Sequence, residues 1–99
     1  MPGYAIAQYT IHDPETYAKY PSSVAPTLSQ YGGKLLVADH DCKVLEGNPY
    51  QVTIVIEFES VETAQRWYDS PEYRKIMHLR TSSTEGWILI APQFVIPQG

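Results

Sequence analysis

The chain has 99 residues, 43% hydrophobic and 18% charged, with a formal net charge of −4. One globular domain with a modest core fits that size, and an acidic balance without any basic run disfavours a nucleic-acid partner. No apolar stretch nears the roughly 20 residues of a membrane span, the first residues lack a signal-peptide pattern, and the single cysteine, Cys42, has no internal partner, so a cytoplasmic protein away from the membrane is expected.

Tyr4–Ile11 is rich in β-branched, aromatic and small apolar residues and predicts a first strand. Its alternation places Ala5, Ala7, Tyr9 and Ile11 on one face and Tyr4, Ile6, Gln8 and Thr10 on the other. Asp13 followed by Pro14 is a helix start, and Tyr17, Tyr20, Val24, Leu28 and Tyr31 continue as an apolar row at spacings of three and four. Pro21 and Pro26 fall inside that row, so a kink or break is expected, and Gly32-Gly33 ends the helix. Lys34 to about Ala38 reads as the second strand, Asp39–Cys42 as its continuation or a bend, and Lys43–Leu45 as a short segment able to pair. After the turn Glu46–Pro49, Gln51–Phe58 is the clearest strand, with Val52, Ile54, Ile56 and Phe58 on one face and Gln51, Thr53, Val55 and Glu57 on the other. Ser60 caps a second helix that turns Ala64, Trp67 and Tyr68 inward. Ser70-Pro71 interrupts it and restarts a helix to about Ser82, whose face Tyr73, Ile76, Met77 and Arg80 follows i, i+3, i+4, i+7. Trp87–Ala91 is the last strand, and Gln93–Ile96 is expected to pair again after Pro92.

The order β-α-β-β-α-β is the split βαβ arrangement, so the fold class is α+β, ferredoxin-like, a single domain over residues 1–99 with a four-stranded antiparallel sheet and helices on one face. The other face then carries Thr53, Val55 and Glu57, with Gln8 and Thr10. A small domain cannot leave such a semi-apolar surface bare without consequence, and a homodimer pairing two sheets would bury it and enclose a cavity.

Arg80 is the leading binding candidate, because a guanidinium in line with an apolar helical stripe must reach water or meet an anion. Its structural alternatives are an ion pair with Glu46 or Glu57, or a stem lying over apolar surface. His40, flanked by Asp39 and Asp41, is a candidate for moving a proton if the segment bends, and Glu57 is a candidate base if enclosed. Tyr73, Trp67 and Tyr9 are expected to line the pocket; eight tyrosines against two phenylalanines suit a surface apolar on one side and wet on the other. His12 and His78 are weaker candidates, near a helix cap and on a polar helix face. Contiguous Asp39-His40-Asp41-Cys42 cannot turn all its donors inward, and no metal-ligand spacing, heme-ligating histidine or glycine-rich phosphate loop is present, so neither metal nor cofactor is expected.

An ordered set of segments carries a family resemblance: Asp13-Pro14-Glu15-x-Tyr17, Tyr31-Gly32-Gly33-Lys34, Val44-Leu45-Glu46-Gly47, Ile56-Glu57-Phe58-x-Ser60, Trp67-Tyr68-x-Ser70-Pro71-Glu72-Tyr73 and Leu79-Arg80. The chain resembles the domain-of-unknown-function 1330 (DUF1330) family from Tyr4 to about Ala91. The resemblance implies a dimeric α/β barrel in which two ferredoxin-like subunits pack sheet to sheet. That wider superfamily includes cofactor-independent monooxygenases, lactone isomerases, heme-dependent enzymes and sensing modules, which share the fold rather than one activity. Many members resemble Val-Arg-Gly-Gly where this chain reads Val37-Ala38-Asp39-His40, so its ligand choice is open to differ.

The expected function is binding of a small anionic or aromatic metabolite by a homodimer. If the protein is an enzyme, cofactor-free proton transfer (isomerase or lyase) or monooxygenase-like oxidation suits these side chains. The alternative is a non-catalytic sensing or dimerisation module.

Overall fold

In the computed structural model, which describes residues 1–97, strand β1 (Gly3–Ile11) alternates buried with half-buried side chains for most of its length. Ala5, Ala7 and Tyr9 turn into the core, as the alternation requires. β1 pairs antiparallel with β3 (Val52–Phe58) on one side and β4 (Thr84–Pro92) on the other. β2 (Lys34–Asp39) adds antiparallel to β3, giving the order β2-β3-β1-β4. A bulge between Leu35 and Val37 keeps Leu35 and Ala38 in register with Ile56 and Ile54.

The helices lie against the Ala5, Ala7 and Tyr9 side. Tyr17 from α1 (Pro14–Tyr17), Tyr20 and Leu28 from α2 (Tyr20–Gln30), Ala64 and Trp67 from α3 (Val61–Asp69) and Tyr73 from α4 (Pro71–Ile76) join Val52, Ile56 and Phe58 in one core. α5 (His78–Thr81) follows with Arg80 buried. The fold class expected from the sequence is therefore the one observed: α+β, with an antiparallel four-stranded sheet and helices on one face.

Local chemistry explains the helix boundaries. Asp13, Ser60 and Ser70 each accept a hydrogen bond from the backbone amide three residues on, at 3.3, 3.0 and 3.1 Å. The row from Tyr17 to Tyr31 does break, between Tyr17 and Tyr20, because Pro21 cannot donate back to the Tyr17 carbonyl; it sits instead in the first turn of α2. Pro26 is tolerated inside α2. That helix closes with Gly33 N donating to Leu28 O at 2.8 Å and Gly32 N to Ser29 O at 3.3 Å, with Gly32 at φ 70°. A side chain there would be strained, so glycine is required. The run after Ser70 is also split, into α4 and α5 at Met77.

Two expected pairings are absent. Lys43–Leu45 is irregular, because β2 runs out at Asp39 opposite Thr53 and β3 begins at Val52, leaving no ladder to join. Gln93–Ile96 forms no strand either; Gln93 N donates to Pro2 O at 2.9 Å, and Phe94 and Ile96 are exposed.

The face away from the helices has its own order. Val37, Val55, Ile6 and Leu89 stand opposite one another across all four strands, an apolar row. On one side of it run Asp39, Thr53, Gln8 and Trp87; on the other run Lys34, Glu57, Tyr4 and Ala91. Gln8 Nε2 donates to Thr53 Oγ1 at 3.1 Å, and the Tyr4 hydroxyl donates to Glu57 Oε1 at 3.3 Å. No helix of the described residues covers this row.

Candidate functional site

Small side chains at the middle of β1 leave room beneath α2. Ala5 and Ala7 form the floor of a cavity of about 230 Å³, flanked by Ile54 and Ile56 from β3 and Ile88 from β4. Tyr20, Pro21, Val24, Ala25 and Leu28 of α2 form its roof. Leu35 and Ala38 bound it along the exposed edge strand β2, and His40 lies just beyond. Tyr9, Tyr17, Trp67 and Arg80 complete the wall. Among the described residues no aspartate, glutamate or lysine takes part.

Arg80 dominates the electrostatics of this space. It is 7% exposed, and its Nε donates to the Tyr73 hydroxyl at 3.3 Å. Among the described residues the salt bridge is Arg74 with Asp69, on the surface, and no carboxylate reaches Arg80. Burial works against the guanidinium's charge, while the neighbouring Tyr73 and Tyr20 hydroxyls favour it and carry the net shift upward. Arg80 is therefore a buried cation whose neighbours are phenol hydroxyls.

Those phenols form two pairs. The Tyr20 and Tyr73 hydroxyls are 2.8 Å apart, and the Tyr9 and Tyr17 hydroxyls 2.6 Å apart. Burial, then the Tyr17 hydrogen bond, pushes the Tyr9 phenol far above its ordinary value. Burial, then the neighbouring Tyr73, does the same to Tyr20, with Arg80 opposing both shifts. Near neutral pH the Tyr9 and Tyr20 hydroxyls therefore keep their protons and can donate. Arg80 and the Tyr9, Tyr17 and Tyr20 side chains of the wall, backed by the Tyr73 hydroxyl, thus make one polar pole in a largely apolar cavity.

Most of the residues expected at a binding site come together here. Tyr9 and Trp67 line the cavity beside Arg80. Tyr73 stands behind Arg80 rather than in the wall: it is fully buried, stacks 4.3 Å from the Trp67 ring and holds the guanidinium through its hydroxyl. Trp67 is fixed in turn by its Nε1, which donates to Thr27 Oγ1 at 3.0 Å. His40 reaches the opening, its ring edge-on to Tyr17 with centroids 6.4 Å apart. The bend around it forms, but Asp39 Oδ1 accepts from the Asp41 amide at 2.9 Å, and neither acid hydrogen-bonds to the imidazole.

Glu57 does not join this group. Strand alternation sends Ile56 and Phe58 into the core and Glu57 to the opposite face, where it meets Tyr4. A base at Glu57 and an anion at Arg80 are separated by the sheet, so they do not form one site within a single chain. Tyr17 and Tyr20, which periodicity alone marks only as part of an apolar row, bring hydroxyls to this site; the excess of tyrosine over phenylalanine is the signal for them in the sequence. Cys42 is half-buried with its thiol 3.3 Å from Thr53 Oγ1. Among the described residues no group of three or more His, Cys, Asp or Glu is placed to hold a metal ion, and no helix is long and apolar enough to cross a membrane.

A split βαβ sheet with a single polar pole buried under its helices defines a ferredoxin-like α+β protein with an internal pocket. Comparison with known sequences makes this specific: residues 2–94 match the family described as Domain of unknown function (DUF1330), and the chain belongs to that family. No curated protein matches it. Among solved structures it is similar to a protein of unknown function from Rhodopseudomonas palustris, at 16% identity over 96% of this chain and 84% of that one, with a TM-score of 0.78. It also resembles SnoaB, a cofactor-independent oxygenase from Streptomyces nogalater, at 12% identity over 99% and 95% of the two chains, with a TM-score of 0.58. A dimeric protein of unknown function with a ferredoxin-like fold from Bacteroides fragilis is similar at 10% identity over 93% and 96%, with a TM-score of 0.56. At these identities the likeness is one of fold.

Proposed function

We propose that this protein binds a small anionic or aromatic metabolite in the cavity beneath α2, with Arg80 as the anchor for the anion. The observation carrying the reading is the burial of Arg80 with no carboxylate of the described residues in reach. An unpaired buried charge costs several kcal/mol, and an incoming anion would supply the missing partner through two parallel hydrogen bonds. The two tyrosine pairs add hydroxyl donors at the same pole, and Trp67 and Tyr9 offer apolar surface beside it.

A homodimer is part of the same proposal. The apolar row Val37, Val55, Ile6 and Leu89 needs cover, and a second copy of the same face would supply it. The dimeric state of the Bacteroides fragilis neighbour favours it. A cytoplasmic setting remains the expectation.

Catalysis is the second reading, favoured by the tyrosine hydroxyls around Arg80. Donors fixed around a developing oxyanion stabilise it without reorganisation, which suits cofactor-free isomerisation, elimination or oxidation. The neighbour SnoaB is a cofactor-independent oxygenase, so the fold accommodates such chemistry. His40 at the opening is the group best placed to move a proton, whereas Glu57 is on the wrong face for a substrate held by Arg80. A non-catalytic sensing module would use the same pocket without turnover.

A thermal-shift panel of organic acids, phosphates, quinones and phenols tests the binding reading. Binding to the native state at a hundredfold excess over Kd adds about 2.7 kcal/mol, which in a domain of this size raises Tm by roughly 10 °C or more. Saturable stabilisation by one class, absent in Arg80→Met with unchanged circular dichroism and mass, is the expected result. A flat response to the whole panel would leave a structural or dimerisation module.

A further inference from the structure

We infer that the cavity selects an apolar monocarboxylic acid with a planar or branched hydrocarbon body, and rejects amino acids, dicarboxylates and phosphate esters. This rests on the anion-binding reading of Arg80 and narrows it to a chemical class.

Charge supplies the first argument. Among the described residues Arg80 is the sole arginine or lysine in the wall, and no aspartate or glutamate lines it. One guanidinium can neutralise one carboxylate. A phosphate monoester or a dicarboxylate would bring a second negative charge into the same apolar space with nothing to compensate it. An α-amino acid would carry its ammonium next to the guanidinium, a like-charge contact, with no carboxylate in the wall to receive it. The other ionisable groups there are phenols and the His40 imidazole, which packs against the Tyr17 ring.

Polarity and size supply the second. The hydroxyl pairs Tyr9–Tyr17 and Tyr20–Tyr73 gather with Arg80. The floor is Ala5 and Ala7, and the roof is Val24 and Leu28. Such a space suits a molecule with one polar end; a sugar or a polyol would leave hydroxyls unpaired against aliphatic side chains. At about 230 Å³ the cavity is smaller than the roughly 300–1,000 Å³ of drug-sized sites. An apolar cavity of about 150 Å³ holds benzene, so one ring with a short carboxylate arm fits the space here. The flat alanine floor on a central strand favours a planar body.

The test is calorimetric titration of the wild-type chain at pH 8, above the usual histidine range. The probes are 3-phenylpropionate, L-phenylalanine, benzylmalonate and benzyl phosphate. The first two differ by one ammonium group; the others add a second negative charge to a similar body. We expect saturable binding of 3-phenylpropionate, at least tenfold tighter than any of the other three. Arg80→Met should abolish that heat. Should that variant fail to fold, Ala38→Phe, on the exposed edge strand, should weaken 3-phenylpropionate at least tenfold by closing the opening. L-phenylalanine, benzylmalonate or benzyl phosphate binding as tightly as 3-phenylpropionate, with dependence on Arg80, would overturn the class while leaving an anion site at Arg80. No heat from any probe would overturn the class, and with a flat response to the wider panel of acids, phosphates, quinones and phenols the binding reading as well; heat indifferent to both substitutions would overturn both.

Discussion

Arg80 Nε lies 3.3 Å from the Tyr73 hydroxyl, seven residues earlier in the chain, and that phenol stands where a buried guanidinium ordinarily has a carboxylate. Tyr73 is itself held by the Tyr20 hydroxyl from α2 and by the Trp67 ring from α3. Three helices thus fix the direction of one cation toward the space under α2. Such positioning costs stability in the empty protein, and that cost is the link between packing and binding.

Replacing Arg80 by an apolar side chain of similar length should therefore not harm the ligand-free fold. Arg80→Met removes an uncompensated buried charge, while the Tyr73 hydroxyl keeps its bond to Tyr20. We expect urea unfolding to give a stability unchanged or raised by up to about 2 kcal/mol. A loss of more than about 2 kcal/mol would mean that the guanidinium contributes net stability on its own, and that its placement is structural.

Gly86 is a different kind of constraint. It faces Tyr9 across the β1–β4 ladder, and a Cβ there would meet the Gln8 carbonyl oxygen at 2.1 Å and Tyr9 Cα at 2.5 Å. Backbone cannot yield as a side-chain tip can, so the two strands would have to separate. Gly86→Ala should cost about 1–3 kcal/mol in chemical denaturation. It should also loosen the Tyr9–Tyr17 pair, which hangs from the same stretch of β1. Retention of full stability would show that β4 shifts without penalty.

What the sequence made legible was what local physics decides. Alternation in Val52–Phe58 assigned its faces correctly, and Asp13, Ser60 and Ser70 marked helix starts by their own side-chain bonds. Arg80 stood out because a charge in an apolar stripe is visible in periodicity alone. Its surroundings did not, because they depend on contacts between distant segments: Tyr20 and Tyr73 are 53 residues apart. The same limit explains Lys43–Leu45, which has strand composition but no free ladder to join. Glu57 is instructive: alternation gives its strand face, but nothing local says that Arg80 lies across the sheet from it. Helix periodicity locates a residue on its helix, but not on a side of the sheet.

Acid should weaken the start of α1 in a defined direction. The Asp13 carboxylate accepts from Thr16 Oγ1 at 2.7 Å and from the Thr16 amide at 3.3 Å, and these bonds, the side-chain one first, hold its pKa below the ordinary 3.8. A depressed carboxylate stabilises the fold above its unfolded value and loses that contribution as pH falls through its folded value. The Tm difference between wild type and Asp13→Ala should be constant from pH 7 to about pH 5, then shrink toward pH 2. A difference that persists at pH 2 would assign the effect to side-chain packing rather than to the carboxylate.

The bare face of the sheet gives a prediction independent of the pocket. Ile6 sits on β1 between Val55 and Leu89, with Val37 beyond, and its side chain points away from every helix. Ile6→Glu would set a charge in the middle of that row without touching the core on the other side. If two copies pair through this face, the wild type should elute with light scattering at twice the 11.2 kDa chain mass, and the variant at the chain mass itself. A stable interface of this kind removes roughly 800 Å² from each partner, so a buried, unpaired carboxylate at its centre should weaken association by several kcal/mol. Ligand binding at Arg80 lies on the far side of the sheet and should survive in the monomer if the pocket is complete within one chain. Loss of both together would instead show that the partner copy holds the helices over the cavity, making dimerisation a condition of binding.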